Sequence, residues 1–263
     1  MKLHYRKSGQ GKPLFILHGL FGMSDNWVTV GKILSPSPTL PIREGEKNIS
    51  VYLIDLRNHG KSPHSAEWAY SSMANDILEL MKEEKLDTIN LIGHSLGGKV
   101  AMQFASMYPE KLEKLIVVDM SPKDLHPKVF DFVKLLPSIK LAGMKSRKEA
   151  EGKLSSIIKE KEVVQLLLKN LYWNDANKLE WKFNLEAIVK NMHTIGNTFS
   201  LKEKIEIPAL FIRGEKSNYI TDKDVHEIKK IFPHSEFKTI KGAGHWVHAD
   251  KPMEFAKAVR DFC

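Results

Sequence analysis

The sequence predicts an α/β fold: a mostly parallel, doubly wound sheet with a helical cap inserted into it. Three observations lead there. Short apolar runs of β type alternate with longer runs of helical period, the pattern of strands joined by crossover helices. Most of the short runs are continuous in Leu, Ile, Val and Phe, as strands buried on both faces require. Across residues 121–206 the alternation stops, and only amphipathic helical patterns follow, with no strand expected. A chain of 263 residues can hold one large domain. The expected organisation is a core in two parts, 1–120 and 207–263, with 121–206 as the cap between them.

The elements follow in order. Leu3–Lys7 reads as an antiparallel starter strand that turns at Ser8-Gly9, and Leu14–His18 as the first parallel strand. Segment 35–47, rich in Pro and Ser, reads as a surface insertion before strand Ser50–Asp55. Ser72–Lys85 places Met73, Ile77, Leu80 and Met81 on one stripe of a helix. Strand Thr88–Gly93 and helix Leu96–Tyr108, which stops before Pro109, come next, and strand Leu115–Asp119 follows. After the cap come strand Ala209–Arg213, helix Asp222–Ile231, strand Glu236–Ile240 and helix Met253–Phe262. Within the cap, Phe130, Leu135, Leu136, Trp173 and Trp181 are expected to form its own core.

Composition removes several classes. The single cysteine, Cys263, excludes an internal disulfide framework, a cysteine-rich zinc site and a CxxC redox pair. No apolar run approaches the ~18 residues of a membrane span, so no stable membrane insertion is expected. The N-terminal stretch lacks a signal-peptide core, which makes Asn48-Ile49-Ser50 a chance sequon. The expected compartment is the cytoplasm, with the mitochondrial matrix as the alternative if a presequence has been removed. A net charge of +8 reads as a solvated lysine-rich surface, and without a basic–aromatic patch it does not suggest nucleic acid. The cap holds 16 basic against 11 acidic residues, which would also suit an anionic substrate such as an acyl-CoA.

Three motifs carry chemistry. Gly93-His94-Ser95-Leu96-Gly97 is a G-x-S-x-G between a strand and a helix, where a sharp turn lifts the serine oxygen above the sheet. A serine hydroxyl needs a base; the candidate is His245, in Gly242-Ala243-Gly244-His245-Trp246 after the last strand. Donors for a developing oxyanion would come from the N–H groups of Leu96 and of Leu20 in His18-Gly19-Leu20-Phe21-Gly22, with Phe21 a close alternative. Trp246 and His94 are candidate substrate-binding residues. Asp55, Arg57 and His59 read as braces of their loop.

With HGLFG, DLRNHGKS at 55–62, GHSLGGKVAM at 93–102 and GAGHW at 242–246, the chain resembles the α/β-hydrolase superfamily over essentially its whole length. Within it, the chain resembles the small esterase group of the bacterial YbfF enzymes and mitochondrial abhydrolase-domain proteins. The resemblance implies an α/β-hydrolase fold, a serine hydrolase acting on short- to medium-chain acyl esters or acyl-CoA thioesters through an acyl-enzyme, and no metal or organic cofactor. A related branch transfers acetyl groups to alcohols, and some proteins of this fold sense ligands with negligible turnover; both stay as alternatives. A monomer or homodimer is expected. The triad acid departs from the common pattern: Gly214-Glu215-Lys216-Ser217-Asn218 has Ser217 where an aspartate often stands. Likeness to the YbfF group moves the acid to Asp119, where a carboxylate ending a buried strand is costly unless paired. Glu215, Asp222 and Asp224 remain the other candidates.

Overall fold

A computed structural model describes residues 1–35, 48–124, 127–196, 201 and 204–263. Most of the expected 35–47 insertion and the Phe130 side chain lie outside the described residues. Strand β1 (Tyr5–Ser8) turns into β2 (Lys12–Leu17), followed by helix α1 (Val28–Leu34), β3 (Ile49–Ile54), α2 (Tyr70–Glu83), β4 (Ile89–His94), α3 (Leu96–Met107) and β5 (Leu112–Val118). Helices α4 (Pro127–Leu135), α5 (Arg147–Ile157) and α6 (Lys161–Lys169) then precede β6 (Leu171–Trp173), β7 (Leu179–Trp181) and α7 (Leu185–Gly196). The chain ends with β8 (Ala209–Gly214), α8 (Asp222–Ile231), β9 (Ser235–Ile240), α9 (Val247–Asp250) and α10 (Pro252–Phe262).

Seven strands form one sheet in the order β1-β3-β2-β4-β5-β8-β9, parallel except for β1, which runs antiparallel to β3. The chain moves outward from β2 to β3 on one side, then continues from β4 on the other. The order reverses between β2 and β4, and open α/β sheets bind ligands at the carboxyl ends of strands beside such a switch. Those two strands are followed directly by His18 and Ser95.

Side chains alternate across the sheet with period two. Phe15, Leu17, Tyr52, Ile54, Leu91, Leu115 and Val117 pack with α2 and α3, whereas Leu14, Ile16, Val51, Leu53, Ile92, Ile116 and Val118 pack with α1 and α10. Both faces are dry, which is why the strands read as unbroken apolar runs. The first layer continues into the inserted helices: Val133, Leu136, Leu154, Leu167, Ile188 and Ile195 belong to the same core cluster.

Two expectations are corrected. The segment between β5 and β8 contains strands, since β6 and β7 form an antiparallel hairpin. Three residues cannot display a period, so the hairpin hides in a helical pattern. Its turn gives it away: Asn177 takes φ 55 and the Asn174 side chain accepts from the Lys178 N–H at 2.8 Å, as asparagines in tight turns do. The expected cap core is also only partly buried. Leu136 is fully enclosed, and Trp181 stacks on Phe183, but Leu135 and Trp173 are 45% and 39% exposed because they lie on the outer faces of their short elements.

Candidate active site

Ser95 sits between β4 and α3 with φ 52 and ψ −116, a strained conformation for a non-glycine residue that costs on the order of 1–3 kcal/mol. Its N–H donates to the Val118 carbonyl at 3.1 Å and its carbonyl accepts from Gly98 at 2.9 Å. The turn is possible because its neighbours lack side chains. A Cβ on Gly93 would lie 2.1 Å from the Gly97 carbonyl oxygen, and one on Gly97 would lie 2.6 Å from the His18 carbonyl oxygen. The second contact shows how tightly the start of α3 is pressed against the end of β2.

The loop after β2 closes as a turn, the Gly22 N–H donating to the Gly19 carbonyl at 2.8 Å, with Phe21 at φ 58. Among the described residues the N–H groups of Leu20 and Phe21 donate to no protein acceptor. Leu96, as the first residue of α3, has an N–H that lies outside the helix ladder. Free donors from two strand ends therefore border Ser95.

His245 follows β9 through Gly242 at φ 74. Its Nδ1 lies 2.7 Å from Asp119 Oδ2. An ionised carboxylate only accepts, so Nδ1 carries the proton and the Nε2 lone pair is left for a substrate or nucleophile. Asp119 is fully buried at φ 48, its own N–H bonded to Ile212 O at 2.7 Å. Its side chain is further held by the Gly214 N–H on Oδ1 at 3.2 Å and by the Ser217 hydroxyl, which donates to Oδ2. Ser217, at the position where an aspartate often stands, thus supports the Asp119 carboxylate. The other acid candidates are engaged elsewhere: Glu215 accepts from Gly242 N–H, Asp222 pairs with Arg213, and Asp224 caps α8 with Thr221 and pairs with Lys123.

Further residues complete the surroundings of the site, and of these Tyr219 and His248 lie outside every motif. Tyr219 stacks on the His245 ring at 3.9 Å, its phenol pushed up by burial and by the Asp119 charge. His94, a candidate for substrate binding, is 3% exposed and donates through Nε2 to the His245 carbonyl at 2.9 Å. Its polar end therefore holds the backbone of His245. Burial keeps His94 neutral, far below the ordinary histidine range, and likewise lowers His248 to about 3, where it stacks on Trp27 at 3.8 Å. Lys99, one turn into α3, is buried with its ammonium on the Lys123 carbonyl after β5, and burial lowers it to about 8.

The loop residues read as braces act as such: Arg57 forms a paired contact with Asp76 at 2.6 and 2.8 Å, and Asp55 accepts from the N–H groups of Ser24 and Lys61. His18 is buried and neutral, donating from Nδ1 to Gly19 O and accepting from Leu56 N–H.

A cavity of about 480 Å³ opens at these strand ends. Leu20, Phe21, Ser95, Tyr219, His245 and Trp246 line its floor, and Val129 and Phe132 of α4 with Val163 and Leu166 of α6 line its roof. Among the described residues no three His, Cys, Asp or Glu are grouped to hold a metal ion, and no helix is long and apolar enough to cross a membrane.

The family model described as the alpha/beta hydrolase fold matches residues 12–252. The chain belongs to the α/β-hydrolase fold family. Among its relatives is the sn-1-specific diacylglycerol lipase ABHD11 of Danio rerio, 37% identical over 260 residues, covering 97% of this chain and 79% of that one. Esterase YbfF of Escherichia coli is 30% identical over 272 residues, covering 100% and 99%. The solved structure of a marine microorganism esterase superposes with a TM-score of 0.92 at 40% identity, covering 100% and 99%. The resemblance to the YbfF-like and abhydrolase-domain group is borne out.

Proposed function

We propose that this α/β-hydrolase is a serine carboxylic ester hydrolase working through an acyl-enzyme. The observation that carries the reading is the 2.7 Å contact between His245 Nδ1 and the buried Asp119 carboxylate, in a cavity that also holds Ser95 on its elbow. The esterase and lipase names of the relatives support it. Ser95 Oγ attacks the ester carbonyl carbon and its proton passes to His245 Nε2. Asp119 keeps the ring in the tautomer that can accept it and stabilises the imidazolium. The N–H groups of Leu96 and of Leu20 or Phe21 hold the oxyanion. Collapse expels the alcohol, protonated by His245; water then repeats the steps and releases the acid.

Residues 121–206 act as the cap, since α4 and α6 roof the cavity. The apolar roof and a volume of about 480 Å³ suit a short- to medium-chain acyl group. Among the described residues the excess of basic residues on the cap is not carried into the cavity, whose charged lining there is Asp25, Glu162 and Asp250 against Lys169. That lining favours an uncharged ester over an acyl-CoA thioester, whose phosphates would meet carboxylates. The test is labelling by a fluorophosphonate probe with peptide mapping, beside turnover of p-nitrophenyl esters and acyl-CoAs of graded length. Labelling at Ser95, its loss in Ser95→Ala, and ester turnover well above thioester turnover are expected. An adduct on another residue would overturn the assignment.

A further inference from the structure

Phe21 is held in a conformation that an aromatic residue rarely adopts. At φ 58 in the Gly19–Gly22 turn it occupies a position that usually calls for glycine, and such conformations persist only where the surroundings impose them. Here the surroundings come from the inserted helices. The Phe21 ring lies 4.5 Å from Phe183 and 5.7 Å from Phe132, centroid to centroid. Its carbonyl accepts from the side-chain amide of Asn170 at 2.7 Å.

Asn170 is fully buried at the end of α6. Its amide nitrogen also donates to Leu166 O at 2.9 Å, and its backbone carbonyl accepts from the Lys182 N–H at 2.8 Å just beyond β7. Both partners of the amide nitrogen are carbonyls, so only one orientation of the side chain satisfies them. The peptide between Phe21 and Gly22 is thereby gripped from both ends: its N–H by Gly19 O, its C=O by Asn170. The adjoining peptide carries the Phe21 N–H, one of the two candidate donors on this loop.

We propose that Asn170 is a positioning residue for the oxyanion donors. It joins α6, and with it the residues roofing the cavity, to the loop after β2, so that cap and oxyanion loop form one mechanical unit. The inference rests on the proposed acyl-enzyme reading of the same site.

The test separates transition-state from ground-state binding. An alkyl trifluoromethyl ketone adds to the nucleophile and places its oxyanion among the donors; an alkyl ether of equal length fills the cavity without one. Removing an oxyanion donor outright costs ~10²–10³ in rate, and a displaced donor should cost less. In Asn170→Leu, which keeps the size but not the N–H, ketone affinity should fall ~10–100-fold while ether affinity stays within about twofold. Melting temperature is followed in parallel. If Asn170→Leu does not fold, Phe183→Leu loosens Phe21 from its ring side and is read in the same way. Equal weakening of both ligands, or unchanged ketone affinity in a folded variant, would overturn the proposal. Ser95→Ala reports on the underlying reading: ketone affinity should drop to that of the ether, and a ketone still bound tightly there would refute the acyl-enzyme reading itself.

Discussion

Replacing Asp119 by asparagine tests the least conventional part of the site, and the structure dictates how the amide would sit. Asp119 Oδ1 accepts from the Gly214 N–H at 3.2 Å, while Oδ2 faces His245 Nδ1 at 2.7 Å and the Ser217 hydroxyl. An asparagine with its NH₂ toward Gly214 would set donor against donor. The amide oxygen must therefore stay on Gly214 and the NH₂ must face His245. A donor there makes Nδ1 the acceptor and moves the ring proton to Nε2, where it blocks the atom that should receive the serine proton. Loss of a triad acid in this way lowers kcat by ~10⁴-fold, about 5 kcal/mol on the barrier. The volume is unchanged and the Gly214 bond survives, so the fold should persist. The assay is kcat on p-nitrophenyl butyrate with the melting temperature as control. A second aspartate, Ser217→Asp in the Asp119→Asn background, should recover part of the loss, because the Ser217 hydroxyl already reaches the spot that Oδ2 occupies. A folded Asp119→Asn within tenfold of the parent rate would refute the reasoning.

Ser217→Ala removes one of the donors to a fully buried carboxylate, so stability should fall by about 1.5–3 kcal/mol, with activity falling far less than in Asp119→Asn. Urea unfolding measures it, and an unchanged midpoint would show that the hydroxyl contributes nothing. His59 and His248 are lowered to about 3, chiefly by burial, whereas in the unfolded chain they titrate near 6.5. Below pH 6.5 the unfolded chain takes up protons that the folded chain refuses, so stability falls as pH drops toward 3, by about 2 kcal/mol per histidine at pH 5. His248→Phe should flatten the curve of melting temperature against pH between 6.5 and 4, and an identical curve would count against it. Leu166→Phe fills the roof of the cavity and should lower kcat/KM for octanoate relative to butyrate esters by about 1–3 kcal/mol per lost methylene-scale contact. An unaltered length preference would mean that α6 does not shape the acyl site.

The features legible in the sequence are those whose cause is local. Ser95 stands out because a strand-to-helix elbow leaves no room for side chains beside it, and His245 because the turn before it takes Gly242 to φ 74, so glycines mark both. The buried strands stand out because both of their faces are dry, and the start of α8 stands out because Thr221 and Asp224 form a reciprocal cap there. Where an element is too short to show a period, as in α1 and the β6–β7 hairpin, the signal fades. Helix α1 is a helix only because Val30 and Leu34 find the sheet and α10 beneath them.

What the tertiary structure decided is everything that depends on register between distant strands. Asp119 and Ser217 are 98 residues apart, and only the parallel pairing of β5 with β8, Val118 beside Ile212, sets them against each other and His245. Sequence alone leaves Glu215, Asp222 and Asp224 open, because nothing local says that the first two carboxylates are spent on Gly242 and Arg213, or that Asp224 pairs with Lys123 besides capping α8. The same holds for charge and for the roof of the cavity. Counting residues makes the cap basic, but it takes the folded chain to set Asp25, Glu162 and Asp250 against Lys169 among the described residues that line the cavity. It takes the folded chain, too, to bring Asn170 down onto a turn 149 residues earlier. Composition and periodicity are sums over neighbours along the chain, whereas a catalytic site is a set of neighbours in space.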